Sequence, residues 1–308
     1  MTRSRDDVVE GGLGRTTLAT GGLEFSALTA GAGDEVVVCV HGFPDTPRTF
    51  RELLPALGGA GFRGVAPTLR GYEPWSQPAV PDYDVSSLAG DVIGWIDALG
   101  ARRAHLVGHD WGAVLGYAAA ALAPDRVASL TALAIPPLGR LPEALLGDPR
   151  HLRPLWYMAL FQLRGVAEQL VARRDLAFID ALWRRWSPGW ELPEAERRLL
   201  HEALARPGVL EAALGYYRAL FSLWRPAARR TLALLRQEIV VPTLVLYGDQ
   251  DGCMPPGLFP AAAARAPFSA GLDVEAIDGA GHFLHLERPD RVNARILAWL
   301  ERWRTTRA

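Results

Sequence analysis

The chain holds 308 residues, 49% of them hydrophobic and 22% charged, with 33 basic against 34 acidic side chains and a formal net charge of -1. That length suits one large core, or a core with a modest second module, and the charge balance points away from nucleic acid and acidic membranes. Every basic residue is Arg; without Lys the chain forms no Schiff base, holds no pyridoxal phosphate on a lysine, and lacks the lysine of a phosphate loop.

Residues 1–14 are polar, acidic and glycine-rich, without the apolar stretch of a signal peptide. No run reaches the roughly 18 apolar residues of a membrane span, so a cytoplasmic protein with no membrane partner is expected. Arg15–Thr20 and Leu23–Thr29 flank Gly21-Gly22 and predict a two-strand hairpin. Glu35–Val40 is a continuous β-branched run, as in a strand buried on both faces, and it ends in His41-Gly42-Phe43-Pro44. A helix over Thr49–Gly59, a strand over Arg63–Pro67 and a helix over Val85–Leu99 follow. Next come a strand over Ala104–Val107, a helix over Ala113–Ala123, and strands over Leu130–Ile135, Thr243–Tyr247 and Val274–Ile277. Buried strands alternating with amphipathic helices predict an α/β fold, a mostly parallel sheet with helices on both faces.

Between Pro136 and Val240 the rhythm breaks. Leu, Ala, Arg and aromatics recur there at helical spacing, and five of the ten tryptophans (Trp156, Trp183, Trp186, Trp190 and Trp224) fall in this third of the chain. Pro136-Pro137 and Val241-Pro242 mark its seams. The expected division is a core of residues 1–136 and 241–308 with a helical cap over 137–240.

The sharpest local feature is Gly108-His109-Asp110-Trp111-Gly112. An apolar strand ends in a Gly-x-Asp-x-Gly turn and a small-residue helix begins at once, the geometry of a nucleophile elbow with Asp in place of Ser. Read alone, Asp110 is equally a helix cap. Its company favours chemistry. His41-Gly42-Phe43-Pro44 follows an earlier strand, where one oxyanion-hole amide belongs, so the expected donors are the backbone N–H groups of Phe43 and Trp111. Gly248-Asp249-Gln250-Asp251 follows one late strand and Gly279-Ala280-Gly281-His282 the last. The order Asp110, Asp251, His282 is nucleophile, acid, base, with Asp249 the competitor for the acid.

At His-Gly-Phe-Pro (41–44), Leu-Arg-Gly-Tyr (69–72), Gly-His-Asp-Trp-Gly (108–112) and Gly-Ala-Gly-His-Phe (279–283) the sequence resembles the α/β-hydrolase superfamily, and within it the epoxide hydrolases. Haloalkane and haloacid dehalogenases share the Asp-Trp elbow, so the cap must separate the two chemistries. The resemblance implies an α/β-hydrolase fold and a cofactor-independent enzyme with no metal, acting on an apolar epoxide and water through an ester on Asp110. It also implies two cap tyrosines that protonate the opened ring. Tyr157, in Trp-Tyr-Met-Ala-Leu-Phe-Gln, and Tyr217, in Gly-Tyr-Tyr-Arg, match those segments, with Tyr216 as substitute for Tyr217. Trp156, Phe161, Trp183 and Trp186 are the expected substrate-lining residues. A dehalogenase would instead draw a halide-binding N–H from Trp111 and another from Trp156, Trp183 or Trp186. The remaining alternative is a hydrolase-fold binding protein without turnover.

Other polar residues carry less. His41, His109 and His285 read as loop-fixing or structural, and His105, His151 and His201 belong to no motif. Cys39 reads as strand packing. With Cys253 far away, no CxxC or Cys/His cluster suggests a metal or a disulfide framework. A monomer or a homodimer is compatible with this reading.

Overall fold

The computed structural model describes residues 12–222 and 226–304; Trp224 lies outside them. The Gly21-Gly22 turn folds β1 (Gly14–Thr20) onto β2 (Leu23–Ala30) as an antiparallel hairpin, with Thr20 opposite Leu23. β3 (Val36–Val40) is buried at every position. The helix expected over 49–59 is split: Pro47 opens a separate 3-10 turn, Pro47–Phe50, before α1 (Leu53–Gly59). β4 (Arg63–Pro67), α2 (Val85–Ala98), β5 (Ala104–His109) and α3 (Trp111–Leu122) follow. β6 (Val127–Leu133) starts and stops earlier than expected, and Ala134 leaves the strand at φ 61.

Between β6 and β7 the chain runs through α4 (Leu141–Gly147), α5 (Trp156–Phe161), α6 (Val166–Trp186), α7 (Glu194–Leu204), α8 (Val209–Phe221) and α9 (Pro226–Leu235), with no strand among the described residues. α6 is two helical segments meeting at a bend, where Arg174, Asp175 and Leu176 take φ of 50, 53 and 57. β7 (Thr243–Gly248), α10 (Leu258–Ala263), β8 (Leu272–Ile277), α11 (Leu284–Glu287) and α12 (Pro289–Arg302) complete the chain.

The eight strands form one sheet in the order β1-β2-β4-β3-β5-β6-β7-β8. β1 and β2 are antiparallel to their neighbours; every pairing from β4 to β8 is parallel. Alternation along β3 divides the core. Val37 and Cys39 face Leu53, Leu57, Ile296 and Trp299 of α1 and α12, whereas Val36, Val38 and Val40 face the side of Leu88, Trp95 and Leu115. Each such aliphatic side chain contributes about 1.5–3 kcal/mol by leaving water. Tyr157, Phe161, Ile179, Trp186 and Tyr217 of the insertion belong to the same apolar cluster as Val40 and Leu106. The insertion is therefore seated on the sheet rather than built around a core of its own, and α9 packs directly against α2 and α3.

Candidate active site

Asp110 sits between the last residue of β5 and the first of α3, with φ 51 and ψ -119. A non-glycine residue held at positive φ is strained, and such strain persists only where the surroundings enforce it. The enforcement here is backbone packed on backbone. A Cβ on Gly108 would run into the Gly112 carbonyl, and one on Gly112 into the Val40 carbonyl. The turn lifts the carboxylate above the sheet, where Oδ1 accepts the Phe43 N–H at 2.8 Å. The Trp111 amide stands at the start of α3, where N–H groups have no intrahelical acceptor and the dipole favours an anion. The Phe43–Pro44 peptide is cis.

The other Asp110 oxygen, Oδ2, lies 3.6 Å from His282 Nε2, an ion-pair distance rather than a hydrogen bond. On the far side of the imidazole, Nδ1 is 2.9 Å from Asp251 Oδ2. Asp251 Oδ1 accepts the backbone N–H groups of Cys253 and Met254 at 2.7 and 2.8 Å, which fixes the carboxylate. Asp249 is turned elsewhere and takes the Gly279 N–H at 2.7 Å. The His282 segment is clamped in turn. Its own N–H donates to the Trp186 carbonyl at 3.0 Å, and the Gly281 N–H donates to Glu287 Oε2 at 2.8 Å. Ser187 Oγ donates to Glu287 Oε1 at 2.6 Å. Burial works against the His282 imidazolium, but the facing carboxylates of Asp251 and Asp110 outweigh it and raise the pKa to about 10.

Tyr157 and Tyr217 meet above this row, with ring centroids 5.8 Å apart. Burial first, then neighbours that include the Asp110 charge, pushes both phenols well above their ordinary value, so each keeps its proton. The Tyr217 hydroxyl has no hydrogen-bond partner among the described residues. The Trp111 indole approaches its oxygen without completing a hydrogen bond. Tyr216, one residue back, donates to the Arg70 carbonyl at 2.7 Å and stacks on Tyr83. One contact had no signal in the sequence: Cys253 Sγ lies 3.5 Å from the Tyr157 hydroxyl, 96 positions away.

Phe43, Phe161, Trp111 and Trp186 pack around these groups. Phe161 packs edge-on to Phe43 and Tyr217 at 5.5 and 5.0 Å, and Trp186 to His282 at 5.1 Å. Trp183 stacks on Phe283 and donates its indole N–H to the Pro44 carbonyl at 3.2 Å, so that N–H is spent on the loop. Trp156 corrects an expectation. It is 45% exposed and packs against Phe178 on the outer side of the insertion. Successive residues of a helix point about 100° apart, so turning Tyr157 inward carries Trp156 out.

His41, His105, His109, His201 and His285 are structural in their contacts. His41 accepts the Leu69 N–H at 3.1 Å, and burial lowers it to about 4. His105 bonds Ser129 and His201 bonds Asp180, each at 2.8 Å. His109 and His285 lie behind the site and burial holds both neutral, His109 at about 3.

The chain is similar in sequence and fold to known proteins. A family model described as the alpha/beta hydrolase fold matches residues 35–289. Epoxide hydrolase A of Mycobacterium tuberculosis is 34% identical over 91% of this chain and 95% of its own. Epoxide hydrolase 3 of Siraitia grosvenorii is 31% identical over 91% of this chain and 96% of its own. Among solved structures, an epoxide hydrolase from Vigna radiata superposes with a TM-score of 0.80 at 26% identity, covering 94% of this chain and 98% of that one.

Proposed function

The chain belongs to the α/β-hydrolase fold family, in its epoxide hydrolase branch, and on that premise we propose that it converts an epoxide and water to a vicinal diol through an ester on Asp110. One observation carries the reading. A carboxylate has one oxygen in an amide hole and the other facing a His–Asp pair, beneath two buried, protonated tyrosines. The carboxylate needs no base to become a nucleophile. Asp110 Oδ2 attacks a ring carbon, the carbon–oxygen bond breaks, and its electron pair goes to an alkoxide that takes a proton from Tyr157 or Tyr217.

Esterification removes the Asp110 charge, one of the two carboxylates that keep His282 protonated. The imidazolium then gives up its proton, which restores the tyrosine. Neutral His282, oriented by Asp251, now draws a proton from water as the water attacks the ester carbonyl. The oxyanion rests on the Phe43 and Trp111 amides. Collapse breaks the acyl–oxygen bond, the leaving alkoxide takes the second water proton, and Asp110 carboxylate and His282 imidazolium return. A halide would need N–H donors instead of an acid. Trp183 has already given its N–H to Pro44, and the tyrosines supply the proton that an epoxide needs.

The substrate is apolar, in keeping with the aromatic rings of Phe43, Phe161, Trp186 and the two tyrosines around Asp110. We assign the reaction to the cytoplasm, in keeping with two buried free thiols, Cys39 and Cys253. Among the described residues no helix is long and apolar enough to cross a membrane. The helices from α5 to α8 act as the lid. The test is intact-protein mass spectrometry of His282→Gln incubated with epoxides and halogenated compounds. The expected result is a mass gain equal to the whole epoxide, mapped to the Asp110 peptide. A gain of substrate minus halide, with halide released, would overturn the reading in favour of dehalogenation.

A further inference from the structure

Three side chains from distant parts of the sequence converge behind the elbow. Asp45, His109 and His285 are each more than nine-tenths buried, and each offers a ligand atom within 4.8 Å of the other two. One atom of each is already engaged. His109 Nε2 lies 3.0 Å from the His282 carbonyl oxygen; that oxygen can only accept, so Nε2 carries the proton and Nδ1 a lone pair. Thr49 Oγ1 lies 2.6 Å from His285 Nε2. His285 therefore turns its other ring nitrogen, Nδ1, towards the cluster. Asp45 Oδ1 accepts the Thr46 N–H at 2.7 Å.

The atoms left over are His109 Nδ1, His285 Nδ1 and Asp45 Oδ2. None has a hydrogen-bond partner among the described residues. Three polar atoms thus face one another, buried and with no hydrogen bond between them, and burial raises the Asp45 carboxyl to about 7. A buried polar atom without a partner is costly, and three of them in one cluster compound that cost. The nearby Arg51 guanidinium does not fill the gap, being turned to Glu52 at 3.7 Å and Glu196 at 3.9 Å.

We propose that Asp45, His109 and His285 form a structural site for one divalent cation of the zinc class, tying the loop after Phe43 to the elbow and to the segment after His282. Two imidazoles and a carboxylate suit zinc and its neighbours in the first transition row. Zinc–ligand bonds of about 2.0–2.2 Å place tetrahedral ligand atoms about 3.4 Å apart, so the cluster contracts by about 1.4 Å at most. Each imidazole already has its other ring nitrogen on an oxygen, the His282 carbonyl for His109 and the Thr49 hydroxyl for His285, the outer-shell arrangement that orients metal-bound histidine. The site is distinct from the proposed catalytic groups and does not depend on the epoxide reading.

The test uses the untagged full-length chain, stripped with a chelator and titrated with Zn²⁺ by calorimetry and with Co²⁺ by absorbance. The expected result is one cation per chain, visible Co²⁺ d–d bands, and a raised melting temperature. His285→Ala and Asp45→Ala lose the bands, while Thr49→Val, which removes only the outer-shell hydroxyl, weakens affinity by about 10–100-fold. Cys253→Ala binds as wild type, which sets the site apart from the nearby Asp251, Cys253 and His282 group. Absence of stoichiometric binding by the wild-type chain would overturn the proposal. So would binding and bands unchanged in a His285→Ala variant that remains folded by circular dichroism.

Discussion

Tyr216 and Tyr217 are neighbours in sequence, both fully buried, and their hydroxyls have opposite circumstances, so exchanging each for Phe separates stability from chemistry. Tyr216→Phe breaks a 2.7 Å bond and leaves the Arg70 carbonyl without that donor. A lost bond of this kind, partly buried, costs about 1 kcal/mol of folding stability. Tyr217→Phe breaks no hydrogen bond, because its hydroxyl has no partner among the described residues; its stability is unchanged or slightly raised. Its cost falls on ring opening. General acids contribute about 10²–10⁴-fold; with Tyr157 still present the single variant slows ester formation at least about 10-fold, and Tyr157→Phe/Tyr217→Phe loses the full range. Urea midpoints give the first quantity. Single-turnover tryptophan fluorescence gives the second, since Trp111 and Trp186 border the site. Equal slowing by Tyr216→Phe, or a lower urea midpoint for Tyr217→Phe, would refute the assignment of the hydroxyls.

Two further expectations concern the base and its partner. Asp251→Asn removes the carboxylate 2.9 Å from His282 Nδ1 and should stall ester hydrolysis with the adduct visible by mass spectrometry, whereas Asp249→Asn, whose amide oxygen still accepts the Gly279 N–H, should turn over normally; the reverse pattern would exchange their roles. The His282 pKa is raised from 6.5 to about 10 in the folded chain. A folded value above the unfolded one gives stability that is complete below about pH 6.5 and is lost as pH rises towards 10. Urea midpoints of wild type should therefore fall across that window more than those of His282→Gln, and parallel pH profiles would count against the ion pairing.

Periodicity and turn chemistry carried much of this protein. A β-branched run such as Val36–Val40 has one physical solution, a strand covered on both faces, and it was legible as such. Gly108-His109-Asp110-Trp111-Gly112 was legible as an elbow because only glycine fits where backbone meets backbone. These are local constraints, written within a few residues.

Approach between distant segments is written nowhere locally. Trp156 and Tyr157 are both aromatic on one short helix, and only the seating of α5 decides that the tyrosine turns in. Asp249 and Asp251 share a loop, and the position of His282, thirty residues on, selects one of them. No spacing rule relates Asp45, His109 and His285, so no metal cluster was expected from the sequence; the sheet sets β3 beside β5, and the segment after the edge strand β8 reaches back to them. The sequence by itself determined which segments become strands and helices, and where a nucleophile could stand, because those follow from nearest-neighbour sterics and the burial of one face. The tertiary structure alone decided which of two equal candidates meets its partner, since that depends on angles accumulated over hundreds of residues of packed chain.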